Sequence, residues 1–296
     1  MFRTPAWTPL MSAVILVGCL ALAARAGEDA GASAAQPPGK PLPESCRPCK
    51  RQDGDGAKKA AWDQSHADFL AIALKGGVDL LFLGDSITNQ WREQGKPVWD
   101  QHFAPLAAAN FGINGDQTQN VLWRVQNGEL DGIQPKLIVL LIGTNNTAKS
   151  RHSPEDIAAG VSAVLKAIKA KCPKAKVLLL AIFPTKIDPE SFYRRNNDQA
   201  NALLAKLDDG GKTVRFMDLN AKLMERDRTI SHEIFPDLLH LSEKGYTIWA
   251  EAIIGTVKEM MGVKPPEEKK PRDQPPPAPA PAPAPIPAPP TPAPEK

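Results

Sequence analysis

Four short segments in fixed order carry residue types suited to acyl transfer: Gly84-Asp85-Ser86, Gly112-Ile113-Asn114-Gly115-Asp116, Gly143-Thr144-Asn145-Asn146 and Asp237-Leu238-Leu239-His240. A serine hydroxyl is a weak nucleophile until a neighbouring base takes its proton, and an imidazole titrating near neutrality suits that task. Ser86 and His240 are the candidates for nucleophile and base. Asp237, three residues before the histidine, is the candidate to accept from the other ring nitrogen and fix the tautomer. A tetrahedral oxyanion needs preorganised donors, for which the Ser86 amide, the Gly115 amide and the Asn145 side-chain amide are available. Glycine at 115 leaves room for substrate to approach the backbone. Each segment alone is a weak signal, since Gly-Asp-Ser recurs by chance; the four together are specific.

Such loops need a scaffold that brings them to one place. From Lys58 onward apolar runs alternate with amphipathic stretches, the pattern of a parallel sheet covered on both faces. Strands are expected at 78–83, 106–111, 137–142, 177–182 and 214–217, and helices at 118–127, 154–170, 192–207 and 242–261. Val78-Asp79-Leu80-Leu81-Phe82-Leu83 has the near-continuous apolar character of a strand buried on both sides. Ser153-Pro154-Glu155-Asp156 supplies a capping hydroxyl, a proline at the first helical position and early acids. The fold class expected is a three-layer α/β/α sandwich around a five-stranded, mostly parallel sheet. In such sheets ligands bind beyond the carboxyl ends of the strands, where all four segments fall.

Both chain ends differ in composition from this domain, which is set at 58–263. Residues 1–26 pair Arg3 with an apolar run and an Ala24-Arg25-Ala26 cleavage pattern, and read as an export signal. Periplasmic or extracellular placement follows, with no membrane span after processing. Leu16-Val17-Gly18-Cys19 offers the alternative of a lipoprotein anchored through Cys19. Residues 27–57 read as a flexible linker holding Lys50, Arg51 and a Cys46-Arg47-Pro48-Cys49 pair, for which an oxidising compartment favours a local disulfide. Residues 264–296 hold half of the chain's 30 prolines and read as a disordered, extended spacer.

Composition also excludes some functions. The net charge of +3 comes from 36 basic and 33 acidic residues that are interspersed rather than clustered, which gives no case for nucleic acid. His66, His102, His152 and His232 lack metal-ligand spacing, so neither a metal nor another cofactor is expected. Asp85, Asp116, Thr144 and Asn146 read as braces of their loops, and Trp62, Trp91, Trp99 and Trp123 as packing residues.

Over roughly residues 60–260 the chain resembles the SGNH/GDSL esterase superfamily, in particular the catalytic subunits of intracellular platelet-activating-factor acetylhydrolase. The stretches that carry the resemblance are Leu81 to Thr88, Asn110 to Arg124 and Gly143 to Asn146. It implies a flavodoxin-like SGNH hydrolase fold, with Ser86, Gly115, Asn145 and His240 as the namesake residues and Asp237 completing the triad. Asn114-Gly115 stands where the family often has two glycines. The implied activity is a serine esterase working through an acyl-enzyme, here expected on short, acetyl esters of a small molecule or glycan. A lysophospholipase or thioesterase-type lipase is the alternative, and a non-catalytic surface-binding protein a third reading. Resemblance to a dimeric family permits a homodimer.

Overall fold

The computed structural model describes residues 41–263. The export segment with Cys19, the front of the linker and the proline-rich tail lie outside the described residues.

In chain order the elements are α1 (Gly56–Lys75), β1 (Leu80–Gly84), α2 (Ser86–Asn89), α3 (Lys96–His102), β2 (Ala108–Gly112), α4 (Thr118–Arg124), β3 (Leu137–Leu141), α5 (Thr144–Ala148), α6 (Pro154–Lys171), β4 (Lys176–Leu180), α7 (Phe192–Leu204), β5 (Val214–Met217), α8 (Asn220–Leu223) and α9 (Glu243–Met261). The strands form one five-stranded sheet in the order β2-β1-β3-β4-β5, and every neighbouring pair is parallel. This is the three-layer α/β/α sandwich around a five-stranded parallel sheet expected from the sequence.

Successive strand residues face opposite sides of a sheet, and both sides of β1 are apolar. Leu81 and Leu83 pack with Ile138, Leu140 and Leu179 beneath α1, α4, α6 and α7. Leu80 and Phe82 pack with Leu137, Val139, Leu178 and Leu180 against α3 and α9. An aromatic cluster of Phe82, Trp91, Trp99, Phe103 and Trp249 fills the second layer. Of the tryptophans read as packing residues, Trp91 is core and Trp99 and Trp123 pack part-buried against the core, with Trp62 in a double position described below.

Element ends shift where local chemistry overrides the apolar pattern. Regular pairing of β2 starts at Ala108 because Ala104–Leu106 form a tight turn and Ala107 is left-handed at φ 51°. Helix α4 stops at Arg124 because Asn127 and Gly128 leave helical geometry. At Ser153 the sequence cue holds: its hydroxyl accepts from the Asp156 amide, and Pro154 opens α6.

The linker expectation is corrected over its described part, because residues 42–57 pack onto the sandwich. The Glu44–Cys46 turn buries Ser45 completely, and the Ser45 hydroxyl donates to Asp156 O at 2.6 Å while Thr118 Oγ1 donates to Ser45 O at 3.0 Å. A β-carbon at Gly160 would stand 2.8 Å from Ser45 O, so α6 needs glycine for this approach. Further along, the Cys49 amide donates to Gln119 O at 3.2 Å and Asn120 Nδ2 donates to Cys49 O at 3.1 Å. Asp55 then caps α1 by accepting from the Lys58 amide, so the domain boundary set at Lys58 falls inside that helix.

The expected local disulfide is also absent: Cys46 and Cys49 are unbridged. Their sulfurs have separate neighbours, Ser45 Oγ at 3.8 Å and Asn120 Nδ2 at 3.9 Å. Burial pushes the Cys49 thiol up, with Glu44 and Asp116 adding to the shift, which opposes thiolate chemistry there.

Candidate active site

The sheet order reverses direction between β1 and β3, so their carboxyl ends open a crevice at that point. Ser86 follows β1 and Asn145 follows β3, one on each side of it. Asp85 sits between β1 and α2 and caps the helix by accepting from the Ile87 amide at 3.0 Å. As the first residue of α2, Ser86 presents an amide with no intrahelical acceptor. The buried Tyr246 of α9 holds this turn from below, its hydroxyl donating to Ile87 O at 2.6 Å.

His240 arrives from the opposite side on the loop before α9. Its Nε2 lies 2.8 Å from Ser86 Oγ and its Nδ1 2.6 Å from Asp237 Oδ2. The other Asp237 oxygen accepts from the Leu239 and His240 amides at 3.0 and 2.7 Å, so the acid also shapes the turn that carries the base. Leu238 adopts φ 62°, a left-handed conformation that leucine rarely takes. Two hydrogen bonds hold it there, from Thr185 Oγ1 at 2.9 Å and the Lys186 amide at 3.0 Å, both to Leu238 O.

The three acids around Ser86 lie in different environments. Burial tends to raise Asp237, but the His240 amide, the His240 ring and the Leu239 amide outweigh it and hold the carboxyl below its ordinary value. Asp85 is pushed up to about 7 by burial, offset only in part by the Ile87 amide and His240. Asp116 is pushed up to about 6, again by burial, against Arg124 and the Trp62 indole that stabilise its charge.

The oxyanion candidates converge. Ser86, Gly115, Asn145 and His240 line one cavity of about 470 Å³, with Asp237 behind the histidine and outside that lining. Asn145 Nδ2 donates to Asp116 O at 3.0 Å and lies 3.4 Å from Asp85 Oδ2. Asp85 therefore links the serine turn to the asparagine, and Asp116 braces both the asparagine and the wall of the cavity.

Beneath the site lies a buried ionic network that sequence reasoning missed. Arg124 is fully buried, with Nε on Asp116 Oδ2 at 2.8 Å and Nη1 on Glu129 Oε2 at 2.5 Å. It also donates to Phe111 O and Gly84 O, both at 3.2 Å, joining the ends of β1 and β2. His66 Nδ1 lies 3.0 Å from Glu129 Oε1 at the far end of the network. No spacing in the sequence announces these partners, which meet only through the sheet.

Arg51, read from sequence as part of the flexible linker, also lines the cavity, as do Lys58 and Trp62. Trp62 is packed in the core and donates from Nε1 to Asp116 at 2.7 Å, so it is at once a packing residue and a wall of the site. Among the described residues no three His, Cys, Asp or Glu side chains gather as a metal set, and no helix is long and apolar enough to cross a membrane.

Comparison with known proteins gives the chain's relatives. Residues 82–248 match the model of the GDSL-like Lipase/Acylhydrolase family. The chain is 36% identical over 200 residues to the human platelet-activating factor acetylhydrolase IB subunit alpha1, covering 68% of this chain and 82% of that one. To the rat alpha2 subunit it is 34% identical over 210 residues, covering 71% and 88%. Its fold is like that of a GDSL-like lipase from Bacteroides thetaiotaomicron, at TM-score 0.52 and 20% identity over 67% of this chain and 97% of that one. An acetylxylan esterase from Geobacillus stearothermophilus gives TM-score 0.50 at 19% identity, over 64% and 96%. A serine at the head of β1's exit turn, a histidine returning before the last helix and a family match spanning both lead to one assignment: the chain belongs to the GDSL-like lipase/acylhydrolase family and is an ester hydrolase.

Proposed function

We propose that this hydrolase is an exported serine esterase that removes short acyl groups, acetyl foremost, from a carbohydrate alcohol through an acyl-enzyme. The observation that carries the reading is the unbroken run from Asp237 through His240 to Ser86, with contacts of 2.6 and 2.8 Å, opening on a cavity shared with Gly115 and Asn145.

In this reading Ser86 Oγ attacks the ester carbonyl carbon while His240 Nε2 takes the hydroxyl proton. The carbonyl oxygen becomes an oxyanion held by the Ser86 and Gly115 amides and the Asn145 side chain. Collapse breaks the bond to the alcohol, which leaves with the proton from His240. Water, deprotonated by the same ring, then attacks the acyl-enzyme; the acyl–Oγ bond breaks, the carboxylic acid leaves and His240 returns the proton to Ser86 Oγ. Asp237 stays ionised throughout and stabilises the imidazolium between steps.

Support for a polar alcohol comes from the cavity wall, where Arg51, Lys58, Ser65, Asn89 and Gln90 stand beside Trp62. Such a set of hydrogen-bonding groups suits a sugar better than an acyl chain. An acetyl donor accords with relatives that bear the names platelet-activating factor acetylhydrolase and acetylxylan esterase. Export rests on the apolar run and Ala24-Arg25-Ala26 pattern in the sequence.

The test is hydrolysis of p-nitrophenyl esters from acetyl to dodecanoyl by wild type and Ser86→Ala, with and without a chelator, followed by acetate release from acetylated oligosaccharides. The expected result is a maximum at acetyl that requires Ser86 and ignores the chelator. A maximum at long chains overturns the acetyl reading and points to a lipase, and serine-independent turnover overturns the mechanism.

A further inference from the structure

Arg51 lies well before the family match, which begins at residue 82, yet it reaches the oxyanion loop. Its Nη1 donates to Asn114 O at 2.6 Å. That carbonyl and the Gly115 N–H are the two ends of one peptide group, and peptide groups are planar. Whatever fixes the carbonyl therefore fixes the direction of the amide. A cation on the carbonyl oxygen also polarises the peptide and strengthens the N–H as a donor.

Arg51 is itself held. Nε donates to Asp53 Oδ1 at 3.1 Å and Nη2 to Asp53 Oδ2 at 3.2 Å, a two-pronged pairing. Asp53 Oδ2 also accepts from Lys149 at 2.7 Å, and Lys149 donates to Gly115 O at 2.9 Å. The carbonyls on either side of the Gly115 amide are thus each held by a cation, and the two cations share one carboxylate. A β-carbon at Gly115 would lie 2.7 Å from Lys149 Nζ and 2.9 Å from Arg51 Nη2, so both cations close directly over the glycine. Gly115 has φ +82°, a conformation that side-chain-bearing residues rarely hold unaided.

Building on the serine-esterase reading above, we propose that Arg51 is a positioning residue for the reaction. From the strap ahead of α1, it clamps the Asn114–Gly115 peptide so that the Gly115 amide faces the oxyanion, with Asp53 and Lys149 as the other parts of the clamp. The strap thereby holds in place a donor that itself lies within the family match. Arg51 touches no reacting atom in this role, so its loss weakens transition-state stabilisation and leaves ground-state binding of a small ester nearly unchanged.

The experiment compares Arg51→Met, Arg51→Lys and Ser86→Ala in the full chain on p-nitrophenyl acetate, alongside affinity for a small alkyl boronic acid, a mimic of the tetrahedral intermediate. Arg51→Met is expected to lower kcat about tenfold to a hundredfold with KM within about threefold, and to lose boronic acid affinity in parallel. Arg51→Lys keeps a cation and is expected to lose less than Arg51→Met. If Arg51→Met does not fold, Arg51→Gln takes its place. A kcat and boronic acid affinity within twofold of wild type overturn the proposal, as does a loss confined to KM. Activity in Ser86→Ala near that of wild type would instead overturn the serine-esterase reading, so the two failures are separable.

Discussion

Ser86 owes its proposed reactivity to two neighbours on a loop far along the chain, His240 at 2.8 Å and, through it, Asp237. Ser86→Ala is expected to lower kcat by on the order of 10⁴ with folding intact, checked by steady-state kinetics beside a thermal melt. Asp237→Asn keeps the shape of the turn but offers the imidazole the wrong partner; a loss of about a hundredfold or more is expected. Asp85 has the opposite character, buried and pushed up to about 7. Because its folded value stands above its unfolded one, the folded protein keeps a proton that the unfolded chain releases between about pH 4 and 7. Asp85's contribution to stability is therefore full below that window and is lost as pH rises through it, by roughly 4 kcal/mol at most. Urea midpoints measured from pH 4 to 8 should fall less steeply in Asp85→Asn than in wild type. Equal slopes would show that Asp85 does not carry the effect.

The elements hold the site through contacts that periodicity does not reveal. Arg124 ties the ends of β1 and β2 to Asp116 and Glu129 with no exposure to solvent. Burial works against its charge, but the two carboxylates outweigh it and hold the guanidinium above its ordinary value. Arg124→Met strands both carboxylates in the core and is expected to cost about 3–5 kcal/mol by chemical denaturation. Much of the scaffold was legible from sequence. The apolar runs of β1, β3 and β4 need burial on both faces, so they stand out, and the β5 range 214–217 agrees with the structure. Helix α1 was not among the expected helices, because the exposed Ile72 and Leu74 blur its apolar stripe. The 42–57 strap was missed altogether: its anchors are backbone carbonyls and amides, which every residue possesses, so its polar sequence looks the same packed or free.

At the scale of the whole molecule, the cavity is built from five separated segments, and the four placed beyond strand ends in the sequence do meet. The fifth, carrying Arg51, lies outside the family match, so a family core alone does not supply this wall. A chain beginning at Lys58 is accordingly expected to melt lower and turn over more slowly than one beginning at Pro41, measured side by side. The claim on which everything else rests is that Ser86 forms the acyl-enzyme, and covalent capture tests it most directly. Incubation with a small fluorophosphonate, followed by peptide mass spectrometry, should yield one adduct, on the peptide containing Ser86, in proportion to the activity lost, and none in Ser86→Ala. An adduct on another residue that tracks the lost activity, or esterase turnover near the wild-type rate in Ser86→Ala, would contradict it.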